Sequence, residues 1–307
     1  KALNRTNDAL FKWIFGNAKQ KTILLEFINA VLTEGDEENI IADIELIDRE
    51  NDAQSQEDKV TRLDILAKTN DGKRINIEVQ TTNKKNLKER SLYYWAQIFI
   101  RQLKRGEHYR DLQSTISINV VTFDIWPENE YYHNDFRLKE KDRHYELTDK
   151  LSIQFLELHK WKKLSRKAQN RLERWLLYLS NSNPEELEEV ARMDMAIKEA
   201  LEAEKAFMRD EALMHAYMQI EKTRLDYDSD IVNARDEGRY EGRLEGIVEG
   251  EIRGKLEGII EGEIRGRLEG KLETARSMLM KGFSPEIVQE CTGLTEEEIK
   301  QVIGTTN

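Results

Sequence analysis

The chain of 307 residues carries 48 Lys and Arg against 59 Asp and Glu, a formal net charge of −11. Its 39% hydrophobic and 35% charged residues can form a core under a heavily charged surface, which excludes fibrous and membrane-spanning classes. No apolar run approaches the roughly 18 residues of a membrane span, and no secretory signal pattern is present. A single cysteine, Cys291, excludes an internal disulfide and a cysteine-based zinc site. We therefore expect a soluble cytoplasmic protein with no membrane partner.

The charge is distributed unevenly along the chain. Residues 1–165 are nearly neutral, whereas the remainder is strongly acidic. Within the first part, residues 81–110 are basic, with Lys84, Lys85, Lys88, Arg90, Arg101, Lys104, Arg105 and Arg110 against Glu89 and Glu107. Such a basic stretch in an acidic protein is a candidate surface for a polyanion. An ordinary solvated helix face is the alternative.

Hydrophobic periodicity predicts an α/β arrangement in the first part of the chain. Apolar residues at helical spacing predict two helices between residues 8 and 32. Residues 61–68 and 73–80 are rich in strand-forming residues and flank an Asp-Gly turn signal, which predicts a hairpin. An amphipathic helix follows at residues 86–104, and residues 115–123 are a further strand.

Residues 166–235 are charged and helical in pattern, and Pro184 is predicted to be the first residue of a helix. An internal repeat follows in residues 236–273. Glycine recurs there at every fourth position, at Gly238, Gly242, Gly246, Gly250, Gly254, Gly258, Gly262, Gly266 and Gly270. Because nine glycines would cost an isolated helix about 9 kcal/mol relative to alanine, we expect this helix to self-associate into a homo-oligomer. An extended or flexible linker is the alternative, since the pattern also fits period two.

The C-terminal residues 274–307 are predicted to form short helices, and their apolar spacing resembles a helix-turn-helix. Its second helix would present Glu296, Glu297 and Glu298 to the anionic DNA groove. Protein contact or helix capping, with Thr295 as the N-cap, is therefore favoured over the reading of DNA bases.

The hairpin could bring acidic residues together. If Asn70, Asp71 and Gly72 form a three-residue loop, Asp64 lies opposite Glu78, and Gln80 shares their face. Opposed carboxylates repel each other unless a proton or cation lies between them, and oxygen ligands suit Mg²⁺ or Mn²⁺. A two-residue loop would move the pair out of register, and a solvated pair with no function is the other alternative.

Six motifs occur in order between residues 4 and 165. They are Asn7-Asp8 with Phe11 and Lys12, Arg62 with Asp64, Glu78 with Gln80, Arg90 with Tyr93, Tyr94 and Trp95, Gly106 with Glu107 and Tyr109, and Glu157 with Lys160. This series resembles the Rpn family of recombination-promoting nucleases and transposases. That family belongs to the PD-(D/E)xK nucleases, and Gln80 stands where most of them have Lys.

The resemblance implies a restriction-endonuclease-like core at residues 1–165, in which helices flank a mixed sheet. A long α-helical extension would follow, with a helical arm at 166–235, the repeat helix at 236–273 and a small helical end at 274–307. The implied activity is that of a Mg²⁺-dependent DNA endonuclease, serving mobile-element recombination or defence against foreign DNA such as phage. A catalytically silent DNA-binding scaffold and an RNA-directed nuclease are the alternatives.

The resemblance also implies roles for individual residues. Asp64, Glu78 and the Val79 carbonyl would hold Mg²⁺, with Mn²⁺ as an alternative, and Gln80 would orient the attacking water. The residues expected at the DNA backbone are Lys12, Lys84, Lys85, Lys88, Arg90 and Tyr94. Because Gln80 has no charge, Lys12, Lys84 or Arg90 would have to supply the missing cation. Glu26 is a candidate for an additional metal carboxylate.

Overall fold

The computed structural model describes residues 3–35, 40–47, 65–83, 86–180 and 183–304. Their contacts divide the chain into two compact units, residues 1–225 and 226–307. Within the described ranges, no helix combines the length and the apolar character needed to cross a membrane.

The first unit contains the sheet and most of the helices. Its strands are β1 (Ile44–Leu46), β2 (Ile65–Thr69), β3 (Arg74–Gln80), β4 (Thr115–Val121), β5 (His133–Phe136) and β6 (Leu151–Glu157). The α-helices among the described residues are α1 (Asp8–Phe15), α2 (Lys21–Leu32), α3 (Leu87–Ile100), α4 (Leu158–Lys163), α5 (Arg171–Leu179), α6 (Pro184–Met193), α7 (Met195–Arg209), α8 (Glu211–Met280), α9 (Pro285–Thr292) and α10 (Glu296–Gly304).

The six described strands form one mixed sheet in the order β1-β2-β3-β4-β6-β5. Strands β3, β4 and β6 run parallel to one another, and the other three pair antiparallel with their neighbours. The expected α/β core, a mixed sheet with flanking helices followed by a long helical extension, is therefore confirmed. The parallel strands end at a common edge of the sheet, which brings the residues after them close together.

The β2–β3 hairpin has the register that the sequence predicts. Ile65 lies opposite Ile77 and Lys68 lies opposite Arg74. The Thr69 backbone N–H donates to the Lys73 carbonyl at 3.0 Å, closing the three-residue loop, and Gly72 takes the left-handed conformation with φ of +88°. Glycine tolerates this conformation because it has no Cβ, so the Asp-Gly signal fixed the loop length and hence the register.

The two faces of the sheet are covered differently. Ile75 and Ile77 of β3 and Ile118 of β4 pack into the main core, which also contains buried apolar residues of α1, α2, α5 and α7. The opposite face lies against α3 and has a smaller apolar cluster with Phe155 and Leu87. Side chains alternate along a strand, so Glu78 and Gln80 lie on the α3 face.

The predicted helix boundaries in this unit hold well. The apolar stretch from residue 8 to 32 is divided into α1 and α2, and α3 begins and ends within the predicted 86–104. Pro184 is the first residue of α6, where the Asn183 side chain caps the helix by accepting from the Glu185 backbone N–H at 3.0 Å. These ends follow local capping rules, which is why the sequence reveals them.

The repeat of residues 236–273 lies entirely within α8, so of the two alternatives the structure contains the helical one. In the second unit, Ala275, Val288, Leu294 and Ile299 form a small apolar core. The domain boundaries expected from the sequence remain predictions, because α8 continues through residues 235 and 273 without a break.

Capping defines the helices at the C-terminal end. Gly293 ends α9 in the left-handed conformation, with φ of +62°. The Thr295 backbone N–H donates to Glu298 at 2.7 Å, and the Glu298 N–H donates back to the Thr295 hydroxyl at 3.3 Å. This reciprocal arrangement is a capping box, as the sequence predicts, and it occupies one of the three glutamates that open α10.

Candidate active site

Glu78 is the acidic residue at the centre of the α3 face. Its register partner on β4 is Asn119, and the residue is only 3% exposed. Its Oε2 lies 3.7 Å from an Arg90 terminal nitrogen, and its Oε1 accepts a long hydrogen bond of 3.4 Å from the Asn76 side chain. A buried carboxylate needs a nearby positive charge or hydrogen-bond donors. For Glu78, Arg90 supplies the charge and Asn76 supplies a donor.

Arg90 comes from the first turn of α3. Its guanidinium carbon lies 5.6 Å from the centre of the Tyr94 ring, a cation–π distance. The 3.7 Å approach to Glu78 is too long for a hydrogen bond, and Arg90 Nε has no hydrogen-bond partner among the described residues. The guanidinium therefore lies near Glu78 with donor capacity that these residues do not fill.

A buried hydrogen-bond chain fixes α3 on the sheet beside this pair. The Ser91 hydroxyl donates to Asn119 Oδ1 at 2.9 Å, and the Asn119 amide donates to the Gln154 carbonyl at 3.1 Å. Sequence reasoning missed these residues. The available signal was the alternation of Ser117 and Asn119 with isoleucine and valine along β4, which predicts one polar and one apolar strand face.

Gln80 is the last residue of β3 and is partly buried. Its carbonyl accepts from the Thr122 backbone N–H at 3.2 Å, which ties the ends of β3 and β4 together. The Val79 side chain points to the other face and packs against the main core. Gln80 and Glu78 are thus on one face, as the sequence predicts, while Asp64 lies outside the described residues.

Lys12, Lys88 and Glu26, which were also expected to contribute to the site, each contact another residue of the chain. Lys12 forms an ion pair of 2.8 Å with Asp8 on its own helix, and Glu26 forms an ion pair with Arg171. Lys88 is exposed, and its amine lies 4.7 Å from the centre of the Trp126 ring. Lys84 and Lys85 lie outside the described residues, so their roles remain predictions.

Tyr94, expected at the DNA backbone, is only 4% exposed and is one of the buried residues of α3. Its neighbour Tyr93 is 56% exposed, and the Trp95 indole N–H donates to the Thr115 carbonyl at 2.7 Å. Of the three adjacent aromatic residues, Tyr93 is therefore the one most exposed to solvent.

The Glu157–Lys160 motif is a structural ion pair at the carboxyl end of β6. The Lys160 amine lies 3.0 Å from the Glu157 carboxylate, and their side chains are 4% and 0% exposed. Glu157 also accepts from the Ile125 backbone N–H at 2.7 Å and from the Asn134 side chain at 3.1 Å. The pair therefore holds the segment between β4 and β5.

The Asn7 motif has a similar structural role. Its side chain caps α1 by accepting from the Ala9 backbone N–H at 3.1 Å. The same amide donates to the Tyr217 carbonyl at 3.2 Å and to Glu221 at 2.9 Å, which links α1 to α8 within the first unit.

Metal ligands are sparse in the described part of the chain. Within it, no group of three or more His, Cys, Asp or Glu residues lies close enough to hold a metal ion. His133 bonds to Gln154 at 3.0 Å and His159 bonds to Asp124 at 2.9 Å. Two groups at the site nevertheless have the oxygen atoms that a hard cation prefers. They are the Glu78 carboxylate and Asn76 Oδ1, which is buried without a hydrogen-bond partner among the described residues.

Comparison with known proteins gives two family matches. Residues 5–234, well over half of the chain, match the PD-(D/E)XK nuclease family transposase. Residues 268–303 match the C-terminal HTH domain of the Rpn/YhgA-like nuclease family. No curated protein and no solved structure gives a significant match.

Proposed function

Because the chain belongs to the PD-(D/E)XK nuclease family transposases and carries an Rpn/YhgA-like C-terminal HTH domain, we propose that it is a metal-dependent DNA endonuclease. The observation that carries the proposal is the α3 face, where buried Glu78 lies 3.7 Å from Arg90 and shares the face with Gln80. A hairpin needs neither a buried glutamate nor an adjacent arginine for its stability, so their presence favours chemistry at this point.

In this proposal Asp64, Glu78 and the Val79 carbonyl hold Mg²⁺ or Mn²⁺. This grouping was predicted from a hairpin register, and residues 65–68 pair with residues 74–77 in that register. When bound, the ion would lower the pKa of its water and neutralise charge on the scissile phosphate. Oxygen ligands of this kind suit both cations, so the donor set does not choose between them.

Arg90 is the cation that we propose compensates for the uncharged Gln80. Lys12 is already paired with Asp8, whereas Arg90 lies at the face that carries Glu78. Arg90 would stabilise negative charge that develops on the phosphate, and the Gln80 amide would orient the attacking water. The buried Tyr94 ring would hold the Arg90 guanidinium in position and would not itself contact DNA.

The DNA backbone would follow the basic residues near and beyond α3. Lys88, Arg101, Lys104, Arg105 and Arg110 are exposed, and Lys84 and Lys85 would extend the same surface. Binding would be nonspecific in base sequence and strongly salt-dependent, because lysine and arginine at phosphates act through counterion release. The HTH domain is the second candidate for DNA contact, although Glu298 is used for capping and Glu296 pairs with Lys300 at 2.6 Å.

The decisive experiment is cleavage of supercoiled plasmid with and without Mg²⁺ or Mn²⁺. Wild type should nick the plasmid only with metal, and Glu78→Gln should lose this activity, as should Asp64→Asn. Glu89→Gln is the matched control, because Glu89 is exposed on α3 and the variant removes the same charge. Activity that survives in Glu78→Gln would refute this site.

Two outcomes distinguish the alternatives. Metal-independent DNA binding without cleavage by the folded wild type would favour a silent scaffold. Faster digestion of a single-stranded RNA than of the matching DNA would favour an RNA-directed nuclease. A nuclease of this type would serve mobile-element recombination or defence against foreign DNA in the cytoplasm, which plasmid transposition and phage challenge would measure.

We also propose that α8 self-associates through residues 236–273. Nothing lies within 4 Å of a Cβ built on Gly254, and apolar residues such as Ile252 and Ile264 are 62% and 66% exposed. The glycines would let a second helix approach closely and cover these residues. Gly254→Ala tests this directly. It should stabilise a solitary helix by up to about 1 kcal/mol but should weaken a packed dimer. An unchanged monomer mass by light scattering for both the intact chain and one ending at Arg235 would refute association.

A further inference from the structure

A cavity of about 300 Å³ opens at the edge of the sheet where β3 and β4 end. Thr81, the residue after Gln80, lines it, and so does Thr122, whose backbone N–H donates to the Gln80 carbonyl at 3.2 Å. The cavity therefore lies one residue beyond Gln80 along the chain, and its lining residues Leu158 and Leu179 belong to the main core. Its volume is at the lower end of small-ligand sites, which suits a group the size of one nucleotide rather than a duplex.

The lining is polar and contains several cations. Lys162, Arg224 and His159 line the cavity together with Thr6, Thr81 and Thr122. The hydroxyls of Thr6 and Thr122 donate to the Asn4 side chain and to the Thr81 carbonyl. Lys162 is exposed and makes no ion pair with a described residue, so its charge is available to a ligand. Arg224 lies 3.0 Å from Glu221, which offsets part of its charge.

His159 is held in a defined orientation. Its Nδ1 lies 2.9 Å from Asp124, which also accepts from Lys163 at 2.8 Å. Burial opposes ionisation of Asp124, but these two hydrogen bonds outweigh it and lower its pKa, so the carboxylate is an acceptor. Nδ1 therefore carries the ring proton, and Nε2 is left for another partner. Besides His159, the charged groups named above are the cations Lys162, Arg224 and Lys163 and the anions Asp124 and Glu221. Their net charge is +1.

We propose that this cavity binds a phosphate group of the nucleic-acid strand next to the phosphate that is cut. A cavity at the strand end that Gln80 closes, lined by Lys162 and Arg224 and with a net positive charge, fits a phosphate better than an apolar or cationic ligand. Holding the adjacent phosphate would fix the strand relative to Glu78, so Lys162 is a positioning residue. This inference rests on the proposed function, and its test is therefore made on binding alone.

The test uses the full chain carrying Glu78→Gln, in EDTA, with fluorescence anisotropy of a labelled single-stranded DNA. Adding Lys162→Gln should weaken binding several-fold and reduce the dependence of log K on log salt by about 0.7, the value for one phosphate contact on a single strand. Lys141→Gln is the matched control, since Lys141 is exposed in a turn of the same unit and loses the same charge. Circular dichroism establishes that both variants are folded.

A second arm separates the sources of the phosphate. Inorganic phosphate and a nucleoside 5′-monophosphate are added separately as competitors of the DNA. If Lys162→Gln abolishes competition by the nucleotide but not by inorganic phosphate, the nucleic-acid assignment is supported. Equal competition by inorganic phosphate would overturn it in favour of a free-anion site. Lys162→Gln that binds DNA as Lys141→Gln does would overturn the proposal, even if the wild type cleaves DNA. A Lys162-dependent effect without any cleavage by the wild type would support the cavity and refute only the nuclease.

Discussion

Replacing Glu157 should destabilise the first unit strongly. Its side chain is fully buried and accepts from the Ile125 backbone N–H, the Asn134 amide and the Lys160 amine at 2.7 to 3.1 Å. Glu157→Ala removes all three acceptor contacts and leaves the Lys160 charge buried. Breaking a buried pair in this way costs about 3–5 kcal/mol.

The structure favours the lower end of this range. Lys160 retains three oxygen acceptors, the Trp126 carbonyl at 2.8 Å, Asn129 Oδ1 at 2.9 Å and the Tyr131 carbonyl at 3.3 Å. We therefore expect a loss of about 3 kcal/mol for Glu157→Ala. Glu157→Gln keeps an acceptor but loses the charge. Because neutral hydrogen bonds are about half as strong as charged ones, this variant should lose about half as much stability as Glu157→Ala.

Urea unfolding followed by tryptophan fluorescence measures these free energies, since Trp126 and Trp161 lie next to the pair. Lys160→Met combined with Glu157→Gln completes a double-mutant cycle, and the double variant should be more stable than the sum of the single losses implies. A loss below about 1 kcal/mol for Glu157→Ala, or strict additivity in the cycle, would refute the assignment of a buried ion pair.

Two further predictions concern the termination of α9 and the pH dependence of stability. Gly293→Ala should destabilise the second unit by about 1–2 kcal/mol because φ is +62°. Gly304→Ala, outside the repeat and with nothing within 4 Å, should not; thermal unfolding by circular dichroism compares them, and equal melting would contradict the strain argument. Burial, and then the hydrogen bond to Glu173, raise the pKa of Tyr132 to about 12. A phenol whose pKa rises on folding contributes stability below its unfolded value of about 10, and this contribution is lost as pH rises toward 12. Tyr132→Phe should therefore flatten the alkaline fall in stability, and an unchanged alkaline profile would contradict this origin.

The hairpin is the part of the fold that the sequence predicts best. An Asp-Gly turn sets the loop length locally, and the alternation of Ile75 and Ile77 with polar residues then sets the face, so short-range rules determine the register. The positions of Glu78 and Gln80 on one face follow from that register. Asp64, their expected partner, is not part of the described chain.

Strands β1, β5 and β6 were not predicted. In β6, Leu151, Ile153 and Phe155 alternate with Ser152 and Gln154, so the period-two signal of a strand is present but was overlooked. Its pairing with β4, which lies 36 residues earlier in the chain, has no local signal. The same limit explains why sequence reasoning overlooked the buried Ser91–Asn119 contact, since neither residue is apolar and the two meet only in three dimensions.

Moving the positive charge from position 90 to position 80 tests the proposed chemistry most directly. Arg90 lies 3.7 Å from Glu78, and Gln80 stands on the same face where most PD-(D/E)xK nucleases have Lys. If Arg90 supplies the missing positive charge, Arg90→Gln should lower kcat by about 100-fold, as removal of a donor at developing charge does in other enzymes. Adding Gln80→Lys should recover at least about tenfold, whereas KM should change little.

Arg101→Gln is the control for this exchange, because Arg101 is an exposed residue of the same basic stretch and its loss should raise KM and leave kcat unchanged. The contrast matters because removing any cation weakens DNA binding, and only a cation near the reacting phosphate also affects the chemical step. Equal effects of Arg90→Gln and Arg101→Gln on kcat and KM would show that Arg90 acts only through the general field of the basic surface. Failure of Gln80→Lys to rescue, with both variants folded, would assign the charge that Gln80 lacks to another residue.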